Sequence, residues 1–116
     1  MKRGLRFAAA VLMLVMLAGI SEAVIRDGAI RGKRGLSFGN ISYNFKGLNV
    51  TISNSTKYNV NFRGTMIFLD RSYNVIAKAE LLNARIKRHS SRRYQGFFSY
   101  GSGEEAKSAK YLEWEF

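Results

Sequence analysis

The chain has 116 residues and a formal net charge of +11, with 19 Lys and Arg residues against eight Asp and Glu residues. It contains no Cys and one His, so a disulfide framework is impossible, and neither a structural zinc site nor a His-paired nucleophile is expected. The sequence therefore predicts a non-catalytic protein without a cofactor or a metal. Its charge favours contact with polyanions, although charge of this kind also serves solubility alone.

Residues 1–23 are predicted to be a cleaved signal peptide. Three basic residues among the first six precede an uncharged apolar run over 7–20, and Ser21-Glu22-Ala23 places small residues at the −3 and −1 positions of a cleavage site. The run is shorter than the roughly 20 apolar residues of a membrane-spanning helix, which favours cleavage over an anchor. Cleavage would lower the net charge to +9, and we expect a periplasmic or secreted protein that does not span the membrane.

Residues 24–35 follow, with three glycines, four basic residues and no sustained apolar period, and are predicted to be a flexible basic lead-in. Within this segment, Arg31-Gly32-Lys33-Arg34 also matches a basic processing site. Asn-X-Ser/Thr sequons begin at Asn40, Asn49 and Asn54. Both kinds of motif matter only in a eukaryotic secretory pathway, and the simpler interpretation is a solvated linker followed by Asn-rich strands.

Residues 36–116 are predicted to be one all-β domain, an Ig-like antiparallel β-sandwich of six to seven strands. Apolar residues alternate with polar ones over 48–53 and again over 58–69, which is typical of half-buried strands. A change of phase at Gly39-Asn40 indicates a β-bulge or a bend between sheets. The second half of 58–69 is apolar on both faces, which favours a central strand.

Two later segments contain residues that favour a helix. Residues 75–88 are rich in helix formers, but 75–82 also fits the hairpin partner of the preceding strand, and we favour the strand. Glu104 to Ala109 is predicted to form one helical turn, with Ser102 as its N-cap. The segment 110–116 then alternates again and forms the last strand.

The stretch from Val50 onward resembles small exported Ig-like domains of the FxLYD type. The resemblance rests on four features: a strand entering an Asn-Ser-Thr turn at 50–56, Met66-Ile67-Phe68-Leu69-Asp70 in place of the aromatic-Leu-Tyr-Asp motif, Tyr73-Asn74-Val75-Ile76 after it, and a segment 85–91 that ends in a polar turn before the aromatic strand 94–98. It covers about half of the chain. It implies a sandwich that acts as an accessory or interaction module, and it brings no catalytic residues.

A basic run near the end of the predicted domain is the candidate anion-binding site. Its residues are Arg85, Lys87, Arg88, Arg92 and Arg93. Such side chains can hold phosphates or sulfates, and neighbouring aromatic residues at 94, 97 and 98 could stack on bases or sugars. The alternative is that the aromatic residues belong to the core and the charges protect a strand edge from pairing. The only histidine, His89, lies inside this run.

The sequence thus predicts an exported, non-catalytic interaction module of unknown specificity. The main alternative is a polyanion or envelope-surface binding protein that uses the run 85–93, and no specific nucleic acid is predicted as its partner. A second alternative is a small outer-membrane β-barrel, suggested by the aromatic residues Trp114 and Phe116. The charged residues that interrupt the strand pattern, together with a mature length of about 93 residues, disfavour that alternative.

Overall fold

The computed structural model describes residues 25–116, and the predicted signal peptide 1–23 lies outside this range. The described chain is all-β, with seven antiparallel strands and one short helix. The strands are β1 (Gly28–Ala29), β2 (Leu36–Tyr43), β3 (Gly47–Asn54), β4 (Val60–Leu69), β5 (Val75–Ile86), β6 (Ser90–Tyr100) and β7 (Tyr111–Glu115), and helix α1 (Gly103–Lys107) lies between β6 and β7. No helix among residues 25–116 is long and apolar enough to span a membrane.

The seven strands form one sheet in the order β1-β2-β3-β6-β5-β4-β7. β4, β5 and β6 are consecutive hairpins, whereas β3 pairs with β6 along eight positions, from Gly47 opposite Phe97 to Asn54 opposite Ser90. The sheet curls so strongly that residues near its two edges are in contact. The rings of Phe38 in β2 and Trp114 in β7 have centroids 5.7 Å apart. The curl encloses a single core.

Side chains that alternate with polar residues in the sequence point into this core. In β3, Leu48, Val50 and Ile52 are fully buried, as their spacing predicts. Met66 and Phe68 of β4 are fully buried as well. The aromatic rings of Tyr43, Phe68 and Phe98 extend the core toward the end that α1 covers, and Phe62, Trp114 and Phe116 extend it toward the other end.

The strand prediction for 75–82 is confirmed, and β5 continues beyond it to Ile86. Ala77 and Ala79 are fully buried in β5, so the good helix formers of this segment are accommodated in a strand by tertiary packing. An irregularity in the pairing of β4 with β5 falls between Phe62 and Gly64, opposite Asn83, whose φ is 53°. β5 continues through this irregularity as one strand to Ile86.

Of the two interpretations of the phase change at Gly39-Asn40, the structure shows the β-bulge. The register between β2 and β3 shifts between Gly39 and Ser42, and Asn40 has a φ of 49°. The predicted helical turn is also present, one residue earlier than expected, as α1. Ser102 occupies the N-cap position, but its hydroxyl bonds the Glu105 carboxylate rather than a backbone N–H group.

Part of the predicted flexible lead-in belongs to the folded domain. Gly28 and Ala29 pair with Phe38 and Ser37 of β2, and Ile30 is 2 % exposed. The loop 31–35 that follows is closed by a hydrogen bond from the Leu36 N–H to the Lys33 carbonyl, at 3.1 Å. Burial of Ile30 therefore positions the basic residues of this loop against the sheet.

Candidate functional site

Three loops meet at one end of the sheet: 31–35 between β1 and β2, 55–59 between β3 and β4, and 87–89 between β5 and β6. Hydrogen bonds join them in pairs. The Ser55 N–H donates to the Gly35 carbonyl at 3.0 Å, and the His89 N–H donates to the Thr56 carbonyl at 3.2 Å. The Arg88 N–H donates to Oδ1 of Asn59 at 3.0 Å. These bonds hold segments that are far apart in the sequence as one surface.

We call this surface the basic end. Its eight cationic residues lie in the three loops or on the strand ends beside them: Arg31, Lys33, Arg34, Lys57, Arg85, Lys87, Arg88 and Arg92. They are half of the Lys and Arg residues of the described chain, and all but Lys33 are exposed. Within residues 25–116, none of the three loops contains Asp or Glu. The basic end is therefore a concentrated positive region rather than a mixed polar surface.

Asn54 organises the loop at the centre of the basic end. It is the last residue of β3 and is 2 % exposed. Its amide nitrogen donates to the carbonyls of Tyr58 (2.8 Å) and Ile86 (3.1 Å), and its amide oxygen accepts from the N–H (2.9 Å) and hydroxyl (2.7 Å) of Thr56. One side chain thus shapes the loop 55–59 and attaches it to the end of β5. Because this amide is buried and fully hydrogen-bonded, the Asn54 side chain is not accessible for glycosylation in the folded protein.

Three cations of the basic end lie over aromatic rings. Lys33 Nζ is 4.9 Å from the centroid of the Phe116 ring, and Lys57 Nζ is 5.9 Å from that of the Tyr58 ring. The guanidinium carbon of Arg92 is 5.6 Å from the Tyr94 ring. These contacts orient long cationic side chains while leaving their charges near solvent, and each contributes roughly 0.5–1 kcal/mol at exposed sites. Tyr58, which is 67 % exposed, also offers an accessible aromatic surface beside the charges.

The structure separates Arg93 from the other members of the predicted run. Arg93 projects from the opposite face of β6 to its neighbour Arg92, and its guanidinium crosses β3 to reach the bulge of β2. It donates to the Asn40 carbonyl (2.6 Å), to Oγ1 of Thr51 (3.1 Å) and to Oγ of Ser42 (3.0 Å). Its donors satisfy backbone and hydroxyl groups around the bulge. Arg93 therefore has a structural role that the sequence pattern does not reveal.

Arg85, Lys87, Arg88 and Arg92 remain together at the basic end, as predicted. Arg31, Lys33, Arg34 and Lys57 were not predicted to belong to this site, because the pairing of β2, β3 and β6 brings them there from other parts of the chain. The basic composition of the lead-in was a signal for Arg31, Lys33 and Arg34, and no sequence signal indicated Lys57.

The aromatic residues predicted to flank the run have different positions. Phe98 packs against Phe68 in the core, at a centroid distance of 6.3 Å, and Tyr94 is half-buried, with its hydroxyl donating to the Arg85 carbonyl. Phe97 is exposed but lies opposite Gly47, away from the basic end. Tyr58, predicted to begin a strand, instead lies in a loop and is the exposed aromatic residue of the site.

Other side chains that could bind a metal ion or titrate lie elsewhere in the fold. In the described part of the chain, no three His, Cys, Asp or Glu side chains are grouped so that they could hold a metal ion. The Asp70 carboxylate accepts from the N–H groups of Ser72 and Asn74, both at 2.9 Å, and so caps the backbone of the turn 70–74. These bonds lower the pKa of Asp70.

A cavity of about 650 Å³ adjoins the bulge of β2, between residues 25–27 and α1. Tyr43 contributes to its wall, and the Tyr43 hydroxyl is buried without a hydrogen-bond partner among the described residues. Burial raises the pKa of Tyr43 to about 12, so this group stays protonated at neutral pH. The cavity carries charges of both signs, on Arg26, Asp27 and Lys107, and thus differs from the basic end.

Comparison of the chain with family models, with curated proteins and with solved structures finds no match. The functional interpretation therefore rests on the geometry and charge of the basic end.

Proposed function

We propose that this chain is an exported, non-catalytic interaction module that binds an anionic polymer of the cell envelope or its surroundings through the basic end. The observation that carries the proposal is the convergence of eight cationic residues, six in three separate loops and two on the adjoining strand ends, without an acidic residue in any of those loops. Like charges repel one another, and no folding requirement explains why so many should meet at one end. A polyanion would relieve this repulsion and release its own counterions.

The kind of ligand follows from the shape of the surface. The basic end consists of loops and strand ends that carry long, mostly exposed cationic side chains. Such a surface fits a polymer with repeated phosphate, sulfate or carboxylate groups better than a single small anion. Tyr58 adds an aromatic ring that could pack on the sugars of a polysaccharide. Sequence-specific reading of a nucleic acid is not part of this proposal.

We further propose that the curled sheet acts as an Ig-like sandwich of the FxLYD type. The pairing of β5 with β6 covers Lys78 to Glu80, whereas β6 pairs with β3 along its first eight residues. This arrangement favours two layers, β1-β2-β3-β6 and β5-β4-β7, that share one hairpin. A rigid two-layer scaffold of this kind would present loops at its ends for binding, which is how many sandwich domains are used.

The test compares two variants of equal charge. In one, the exposed residues Arg34, Lys57, Lys87 and Arg88 of the basic end are changed to Ser. In the other, the exposed residues Arg26, Lys46, Arg71 and Lys107 are changed to Ser. Each variant loses two Arg and two Lys residues, so bulk charge affects both equally. We would measure the salt concentration needed to elute each protein from heparin.

The proposal predicts that the basic-end variant elutes at clearly lower salt than the control variant, because it alone loses clustered contacts. Equal elution of the two variants would show that only net charge attracts the polymer and would overturn the proposal. Circular dichroism of both variants confirms that each has kept the β fold.

A further inference from the structure

Two tyrosines form a stacked pair at the end of the domain opposite the basic end. Tyr73 lies in the turn between β4 and β5, and Tyr111 is the first residue of β7. Their ring centroids are 4.4 Å apart and their planes are inclined by only 8°. Both side chains are accessible, with Tyr73 60 % exposed and Tyr111 40 % exposed. The pair is thus close, parallel and open to reagents in solution.

The backbone on each side of the pair is fixed. The Tyr73 N–H donates to the Asp70 carbonyl at 3.0 Å, and Tyr73 adopts a φ of 65°, an uncommon value for a residue with a large side chain. Tyr111 pairs with Leu69 of β4, and the preceding Lys110 N–H donates to the Leu69 carbonyl at 2.8 Å. The two rings are therefore held face to face by the fold and do not depend on a chance encounter.

The two phenol groups also influence each other, since the interaction with the Tyr73 side chain is the main reason that the pKa of Tyr111 is raised. With nearly parallel planes and centroids 4.4 Å apart, the two rings are in direct contact. In a tyrosyl radical, the unpaired electron resides largely on the oxygen and on these ortho carbons, so this arrangement suits coupling between the rings.

We propose that Tyr73 and Tyr111 form an oxidative cross-linking site, at which an intramolecular dityrosine joins the β4–β5 turn to β7. The oxidant is a peroxide activated by a haem peroxidase. Each phenol loses one electron and one proton, and the two radicals couple to form a carbon–carbon bond between ortho positions. The two hydrogens on the bonded carbons then move to the oxygens, which restores both phenols. The chain loses two hydrogen atoms, and hydrogen peroxide is reduced to two molecules of water.

The cross-link would act on the edge of the sheet. β7 lies at one end of the strand order and is five residues long, and its one strand neighbour in the described sheet is β4. A short edge strand is among the first elements to separate from a sheet. A covalent bond at Tyr111 would restrain this separation, and such protection suits a protein exposed to an oxidising environment outside the cell.

The test oxidises the purified chain with hydrogen peroxide and a haem peroxidase at low protein concentration. Dityrosine fluorescence and mass spectrometry of proteolytic fragments are the measurements. Tyr73→Phe and Tyr111→Phe each keep an aromatic ring in the stack but remove one phenol, and we expect loss of the fluorescence in both. Tyr58→Phe and Tyr100→Phe are the controls, since these tyrosines are 67 % and 56 % exposed, and we expect them to keep it.

Three outcomes support the proposal: a fragment in which residues 73 and 111 are joined, a mass lower by two hydrogen atoms, and a yield per chain that does not change on dilution. A cross-link that maps to Tyr58 or Tyr100 would overturn it. A yield that falls on dilution would do the same, because it would show coupling between chains. This test is independent of anion binding, so either proposal can fail without the other.

Discussion

The side-chain amide of Asn54 donates to the carbonyl of Ile86 at 3.1 Å, and this buried bond connects the end of β3 to the end of β5. Its partners on the other side, Thr56 and Tyr58, belong to the loop that carries Lys57. One buried polar group thus links the core to the arrangement of the basic end. Buried amides of this kind are costly to disturb, because their partners lose hydrogen bonds that water cannot easily replace.

We expect Asn54→Ala to lower the free energy of unfolding by about 2–4 kcal/mol, because several partners lose their hydrogen bonds in a buried setting. Denaturant unfolding measures this change. Asn49→Ala on the same strand is the matched control, with an expected loss of no more than about 1 kcal/mol. Similar losses for the two variants would contradict the organising role assigned to Asn54.

Because Arg93 has a structural role, we expect its substitution to lower stability and to leave anion binding nearly unchanged. Arg93→Lys keeps the charge but cannot reproduce the forked donors that reach Asn40, Thr51 and Ser42, so stability should fall by roughly 1–2 kcal/mol. Elution from heparin should stay close to that of the unchanged chain. A large fall in the eluting salt concentration with unchanged stability would place Arg93 in the binding surface instead.

Gly101 is predicted to be intolerant of a side chain. Its φ is +71°, and a Cβ atom at this position would lie 2.4 Å from the carbonyl oxygen of Ile76. Both the backbone strain and the steric clash oppose substitution, so Gly101→Ala should cost about 2 kcal/mol or more. Gly32→Ala is a useful comparison, because its φ is +95° but its nearest contact is an ordinary 3.4 Å. If Gly101→Ala is no more destabilising than Gly32→Ala, the close approach to Ile76 has no energetic consequence.

The turn 70–74 should make stability depend on pH. Hydrogen bonds from the backbone of Asn74, its side chain and the backbone of Ser72 lower the pKa of Asp70 in the folded protein. The stabilisation is therefore fully present above the pKa of the unfolded state, and it is lost as the pH falls through the lower, folded-state value.

Thermal unfolding of the unchanged chain and of Asp70→Asn over an acidic pH series tests this dependence. The difference in melting temperature should be largest at neutral pH and should shrink as the pH falls. A difference that stays constant down to strongly acidic pH would show that the ionised carboxylate does not stabilise the turn.

The basic end should also set the salt dependence of binding to a phosphate-bearing polymer. Each clustered cation that contacts a phosphate contributes about one unit to the slope of log affinity against log salt concentration. Lys87→Ser combined with Arg88→Ser should therefore reduce this slope, whereas Lys46→Ser combined with Arg71→Ser should leave it nearly unchanged. Fluorescence titration at several salt concentrations measures both slopes, and equal reductions would argue against a localised site.

The sequence by itself determined the all-β class, the positions of most strands and the presence of an irregularity at Gly39-Asn40. These features depend on short-range patterns: alternation follows from the two-residue period of a strand, and a change of phase marks an extra residue. It also located the turn between the hairpin strands predicted over 58–69 and 75–82, because both alternating patterns stop there. Four of the five residues predicted for anion binding lie together for the same reason, since a hairpin keeps near neighbours close.

Only the tertiary structure decided the rest. The meeting of Arg31, Lys33 and Arg34 with Lys57 and with the β5–β6 hairpin depends on which strands pair, and strand order is a long-range property that local patterns do not encode. The role of Arg93 depends on whether its side chain points to the outer face beside a bulge. The stacking of Tyr73 on Tyr111 follows from the pairing of β7 with β4. In each case, contacts between distant segments of the chain determine what a residue does.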